Sequence, residues 1–105
     1  MKQAVNHLVL AASIAEADSV RYTPAGLPAL DLRLQHESEI EEAGQTRQVK
    51  AVVKAVAFGA VAERISRQAL GSNWSFIGFL ATPRNGKNVV FHIQEFQQDQ
   101  RIVII

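Results

Sequence analysis

The sequence predicts an all-β fold, a five-stranded barrel with one short helix between the third and fourth strands. Three observations predict it. Leu30, Leu32, Leu34 and His36 alternate strictly with Asp31, Arg33, Gln35 and Glu37, the pattern of a strand with one face in a core and one in water. Further runs rich in β-branched and aromatic residues follow, separated by turn signals such as Asn85-Gly86. Only Gly59–Leu70 has helical spacing, through Val61, Ile65 and Ala69. At 105 residues and 48% hydrophobic, the chain is long enough to bury one core and is read as one domain over residues 1–105. That composition argues against disorder.

The first strand is expected over Asn6–Ala17. Leu8, Leu10, Ala12 and Ile14 lie on one side, and His7, Val9, Ala11 and Ser13 on the other. Apolar residues on both sides predict a strand buried on both faces or paired with a second subunit. Residues 16–19 are polar and turn-like, and Val20–Tyr22 reads as a short strand. The turn Pro24-Ala25-Gly26 follows: proline presets φ and glycine accepts positive φ, so the chain reverses at little cost. The second strand spans Ala29–Ile40, and Gly44 in the loop 41–45 suits a hairpin.

The third strand is expected over Thr46–Phe58, with Val49, Ala51, Val53, Ala55 and Ala57 on one face. Gln48, Lys50, Val52, Lys54 and Val56 take the other, so Lys50 and Lys54 point the same way, about 13 Å apart. Such a pair either contacts successive phosphates or keeps an exposed face soluble. The helix spans Gly59–Leu70, with Gly71 placed as a C-terminal glycine and Arg67 near the negative end of the dipole. The fourth strand, Trp74–Thr82, carries Trp74, Phe76 and Phe79, and Gly78 in its middle predicts a bend or a close approach of another backbone. Pro83–Lys87 is a hairpin loop with Arg84 and Lys87 at its tip. The fifth strand is Asn88–Phe96, with Val89, Phe91 and Ile93 on one face and Val90, His92, Gln94 and Phe96 on the other. The apolar Ile102–Ile105 is expected in a final strand or against a partner. Five strands with a helix between the third and fourth is the element order of an OB-fold barrel; an SH3-like barrel or another small meander is the alternative.

Catalysis finds little purchase in this chain. There is no cysteine, which excludes disulfides and zinc–thiolate sites and is compatible with a reducing compartment. His7, His36 and His92 fall on separate predicted strands without metal-ligand spacing, and no glycine-rich phosphate loop exists. Glu37, Glu39, Glu41 and Glu42 read as a solvated edge. No catalytic residue, metal or cofactor is expected, and the chain is read as a non-enzyme. The apolar run after Lys2 is interrupted by His7 and is short for a signal peptide. No run approaches the ~20 apolar residues of a membrane span. Net charge is +1, but its distribution is uneven. Residues 31–42 hold five acids and one base, whereas residues 43–94 hold seven bases and one acid, Glu63. A basic stripe on a sheet is the footprint of a polyanion partner; ordinary solubilisation is the competing reading, and charge alone favours it.

The segments RYTPAG, LPALDL and QHES within Val20–Ser38 resemble the PriB family of bacteria (primosomal replication protein N) and its parent family, the bacterial single-stranded DNA-binding proteins (SSB). EEAGQTRQV at 41–49 and GSNWSFIGFLA at 71–81 extend the resemblance over about positions 5–97. Glu41–Gly44 after QHES is similar to PriB. The sequence runs to Ile105 without a glycine/proline-rich tail or acidic terminal peptide, which again leads to the expectation of PriB rather than SSB.

The resemblance implies an OB-fold homodimer of the bacterial cytoplasm, without membrane attachment. It implies binding to single-stranded DNA and stimulation of the PriA helicase, with other primosome proteins, at stalled forks. Arg84 and Lys87 lie in the loop where PriB-like proteins carry bases. Lys50 and Lys54 are the next phosphate-contact candidates, then Arg47 and Arg33. Tyr22 and Phe58, near loop junctions, are stacking candidates. Trp74, Phe76 and Phe79 are expected in the core, with stacking as the alternative. The chain departs from the family at Lys50 and near Gln45, where relatives often carry aromatics, and its loop holds fewer bases. Weaker DNA binding is therefore expected. Two other functional readings stand beside this one: a dimeric OB-fold adaptor with little DNA affinity, and a tailless SSB.

Overall fold

In the computed structural model, which describes residues 3–98, the chain forms β1 (Leu8–Ala17), β2 (Arg21–Tyr22), β3 (Pro28–Glu42), β4 (Gln45–Phe58), α1 (Ala60–Ser66), β5 (Asn73–Ala81) and β6 (Val90–Gln97). The five predicted strands correspond to β1, β3, β4, β5 and β6, and the short segment at Arg21–Tyr22 pairs with the start of β3. The expectation for Ile102–Ile105 lies outside the described residues.

The strands run in the order β1-β5-β6-β4-β3-β2, and β1 also pairs with β3, so the sheet closes into the five-stranded OB barrel. One strand serves both seams. Leu8–Ser13 pair with β5, and Ser13–Ala17 pair with β3. The register shifts between Ile14 and Glu16; the extra residue, Ala15, bends β1 from one neighbour to the other. His36 extends this seam beyond the last backbone pair, Ser13↔Gln35. Its Nδ1–H donates to the Ala11 carbonyl at 2.6 Å, and its Nε2 lies 2.8 Å from the Ser38 hydroxyl. A carbonyl only accepts, so Nδ1 carries the proton.

The core follows the alternation. Leu30, Leu32 and Leu34 of β3 meet Ala55 and Ala57 of β4, Ile14 of β1, Phe76 of β5, and Phe91 and Ile93 of β6. Ala62 and Ile65 of α1 complete it. The helix is shorter than its spacing predicts. Past Ser66 the backbone tightens into three-residue bonds, from Arg67 to the Arg64 carbonyl and from Gln68 to that of Ile65. The Ser66 hydroxyl and the Gln68 amide also donate to the Glu63 and Arg64 carbonyls. These bonds satisfy the terminal carbonyls and end the helix. Gly71 is therefore not its cap. Its N–H donates to the Ile14 carbonyl at 2.7 Å, and the Ser72 carbonyl accepts from the Ile14 N–H at 3.0 Å. The glycine docks the connection onto β1.

A second departure from simple alternation lies in β6. Phe96 was expected opposite Phe91 and Ile93, yet all three are buried in one core. Gly78 pairs with Ile93 while Ile77 pairs with Glu95, so Gln94 is an extra residue that resets the parity. Gly78 itself meets the expectation of a close backbone approach: a Cβ built there would lie 1.8 Å from the His92 carbonyl oxygen. That obstacle is backbone and cannot swing aside. Gly78→Ala is expected to destabilise the fold by at least about 2 kcal/mol, from overpacking. Urea denaturation would read this as a lower midpoint at unchanged slope, and wild-type stability would contradict the close packing.

Candidate nucleic-acid interface

Outward positions of β3 and β4 make the face where Arg33, Lys50, Lys54 and Phe58 sit. Across the strands, Glu39 faces Gln48, Glu37 faces Lys50, Gln35 faces Val52, Arg33 faces Lys54, Asp31 faces Val56 and Ala29 faces Phe58. The acids of residues 31–42 and the bases that follow are separate blocks along the chain. The antiparallel pairing lays them side by side. Gln48 donates to Glu39 at 2.9 Å, and Arg47 pairs with Glu42 at 2.7 Å. The outer arm of the hairpin, residues 37–50, thus holds four acids against two bases and is not a basic stripe.

Lower on the face, Arg33 and Lys54 share a hollow with Glu16, Asp18 and Asp31. Arg33 and Lys54 stand directly opposite each other, a like-charge pair that costs stability unless relieved. Glu16 relieves Arg33 from β1, at 3.4 Å. Lys54, Lys50, Arg84 and Lys87 make no ion pair among the described residues. The loop between β5 and β6 is tied to the same place. β6 runs parallel to β4 with Phe91 beside Ala55, and Ala81 pairs with Val90. Val90 therefore adjoins Lys54, and the loop bearing exposed Arg84 and Lys87 leaves the barrel at that level. The structure brings Arg33, Lys54 and the base of this loop together, with Lys50 farther along the same face. Arg47 alternates to the other face of β4 and lies apart, held by Glu42.

The aromatic candidates divide. Tyr22 sits on β2 opposite Pro28 and is 66% exposed. Phe58 faces outward at the end of β4 and is 38% exposed. Phe76 is fully buried, and Trp74 packs edge-on against Phe96 at 5.0 Å while its Nε1–H donates to the Ser72 hydroxyl. Phe79 does not join them. It faces outward and stacks on His92, with centroids 4.9 Å apart. The signal was present in the sequence: Phe79 has the opposite parity to Trp74, Phe76 and the inward Gly78. Sequence reasoning also missed Arg21 as a structural clamp. Its Nε and Nη2 donate to both carboxylate oxygens of Asp31, at 2.7 and 3.2 Å. The Asp31 hydrogen bond, and then its charge, hold this guanidinium above its usual pKa. The clamp ties β2, with Tyr22, to β3.

Among the described residues, no cluster of His, Asp or Glu is placed to hold a metal ion, and no helix is long and apolar enough to cross a membrane.

The family model described as "Another single-strand binding protein family" matches residues 6–95. The replication restart protein PriB of Bordetella pertussis is 44% identical over 92 residues, covering 87% of this chain and 86% of that protein. The solved structure of PriB from Ralstonia solanacearum superposes with a TM-score of 0.83 at 37% identity, covering 90% of this chain and 98% of that one. The SSB domain of a Synechococcus protein, 21% identical, shares the fold at a TM-score of 0.70 over 93% of this chain and all of that domain. The pairing order, the short helix and these matches agree, and the chain belongs to the single-strand binding protein family and, within it, to the PriB replication restart proteins.

Proposed function

We propose that this chain binds single-stranded DNA as an accessory of the replication-restart primosome in the bacterial cytoplasm, and stimulates the PriA helicase at stalled forks. The observation that carries the binding reading is the group of cations around Lys54. Arg33 lies across from it, and the loop of Arg84 and Lys87 leaves the barrel beside it. Cations on a curved sheet face suit a flexible phosphate chain, whose binding releases counterions. Membership of the PriB family supports the place in replication restart. The dimeric adaptor reading has one observation in its favour, the interleaved acids on the outer arm, which weaken the field along β4.

The proposal includes a homodimer. Val9 is 56% exposed on the outward side of β1, paired with Ile77 of β5, and this apolar strip gives a second copy a surface to cover. Sedimentation equilibrium at micromolar concentration is expected to give twice the chain mass; a monomer would contradict dimerisation.

DNA binding is tested by anisotropy of labelled oligo-dT, about 30 nucleotides long, over a salt series. Affinity is expected to fall with salt at a log–log slope of about −0.7 per phosphate neutralised. Arg84→Ala/Lys87→Ala should flatten that slope by roughly 1.4 if each cation meets one phosphate. An unchanged slope removes both from the site. No binding at low salt would leave the adaptor reading in its place.

A further inference from the structure

One extra residue in β1 decides which charge faces Arg33. Had β1 kept the register of Ser13↔Gln35 and Ile14↔Leu34, Ala15 would stand opposite Arg33 and Glu16 would turn inward beside Leu32. The bulge at Ala15 moves Glu16 to the outward side instead, directly across from Arg33. Glu16, Arg33 and Lys54 thus make one row over three neighbouring strands, β1, β3 and β4, with successive members about 5 Å apart at the backbone. Arg33 has a second cation on one side and a carboxylate on the other. Its Nε lies 3.4 Å from Oε1 of Glu16. Asp18 and Asp31 line the same hollow, and Arg21 holds Asp31.

We propose that Glu16 competes with phosphate for Arg33: in the free chain its carboxylate occupies the guanidinium, and a single strand of DNA displaces it to engage Arg33 together with Lys54. The proposal rests on the single-stranded DNA reading above. Three features favour it. A carboxylate and a phosphate offer a guanidinium the same kind of paired oxygens, so one occupant excludes the other. The pair is also the loosest of its kind among the described residues. Arg21–Asp31 and Arg47–Glu42 close to 2.7 Å, whereas Glu16–Arg33 stays at 3.4 Å with side chains 54% and 71% exposed on Arg33 and Glu16. An exposed pair of this sort contributes little stability and opens readily. Finally, the pair that can open is the one beside Lys54, which has no ion pair among the described residues. Arg33 and Lys54 repel each other across the strands, and Glu16 relieves only one of them. A phosphate lying between the two relieves both. Glu16 is therefore an affinity-setting residue of the interface that itself makes no contact with the ligand, and the bulge at Ala15 is the backbone device that puts it there.

The test measures oligo-dT affinity by anisotropy across the salt series for Glu16→Ala, Arg33→Gln and the double variant, with folding checked by circular dichroism. Alanine is chosen because a glutamine oxygen would still accept from the guanidinium. Glu16→Ala is expected to bind roughly fivefold more tightly at low salt, with a slope steeper by about 0.7, because one more cation is free to neutralise a phosphate. In the Arg33→Gln background, removing Glu16 should change affinity by less than about twofold. Glu63→Gln removes the same charge from α1 and should bind within about twofold of wild type. On the wild-type chain, the NMR signal of the Arg33 Nε–H should shift when oligo-dT is added while that of Arg21, locked on Asp31, stays; this reading holds even if a variant fails to fold. Wild-type affinity in Glu16→Ala, an equal gain without Arg33 or from Glu63→Gln, or an unmoved Arg33 signal overturns the competition and leaves the DNA reading standing. Weaker binding by Glu16→Ala makes Glu16 a support that orients Arg33, and also overturns it. Failure of both the wild-type chain and Glu16→Ala to bind oligo-dT at low salt overturns the DNA reading and the competition together.

Discussion

Fourteen consecutive residue pairs, from Ala29↔Phe58 to Glu42↔Gln45, join β3 to β4. The side-chain period of a strand is two, so a one-residue slip would move every residue of one strand to the wrong face. Leu30, Leu32 and Leu34 would leave the core, and Arg33 would enter it. Burial of those leucines therefore fixes the register. The register in turn decides which charges meet: Glu37 with Lys50, Arg33 with Lys54, and no base opposite Asp31. The location of positive charge on the surface is thus a consequence of apolar packing beneath it.

Closure of the barrel depends on smaller devices. The bulge at Ala15 lets one strand serve two neighbours, and His36 bridges β1 and β3 where backbone pairing stops. At Gly78 the absent side chain lets β6 approach closely enough to pair with β5 and still reach β4 in parallel at Ala55–Ala57. Alanine at 55 and 57 keeps that parallel junction thin. The junction also positions the site, because it sets the loop of Arg84 and Lys87 beside Lys54.

Much of this was legible in the sequence. Alternation over residues 29–40 and 46–58 gave both long strands and their inward faces, and the Pro24–Gly26 turn and Asn85-Gly86 loop marked reversals that the structure contains. What escaped depends on contacts between distant segments. The helix stops at Ser66 because side chains take its last carbonyls and Gly71 is claimed by Ile14. Phe96 turns inward because of a bulge that only the β5 pairing reveals. The basic stripe dissolved because the acid-rich strand is its antiparallel neighbour. Of the candidate site residues, Lys54, Arg33 and Phe58 were found together, Arg47 was found apart, and the stack of Phe79 on His92 had no local signature beyond parity.

Single ion pairs at exposed positions such as Arg47–Glu42 contribute about 0–1 kcal/mol, whereas a stacked base contributes about 1–3 kcal/mol. Rings and free cations, more than the paired arginines, should therefore decide where a strand lies. The most direct test is the backbone amide NMR spectrum of the chain titrated with oligo-dT. Shifts concentrated at Lys54–Phe58, Phe79–Ala81, Val90–His92 and the loop of residues 82–89 are the result this account predicts. Shifts confined to the hairpin arm around Arg47, or to α1, would contradict it.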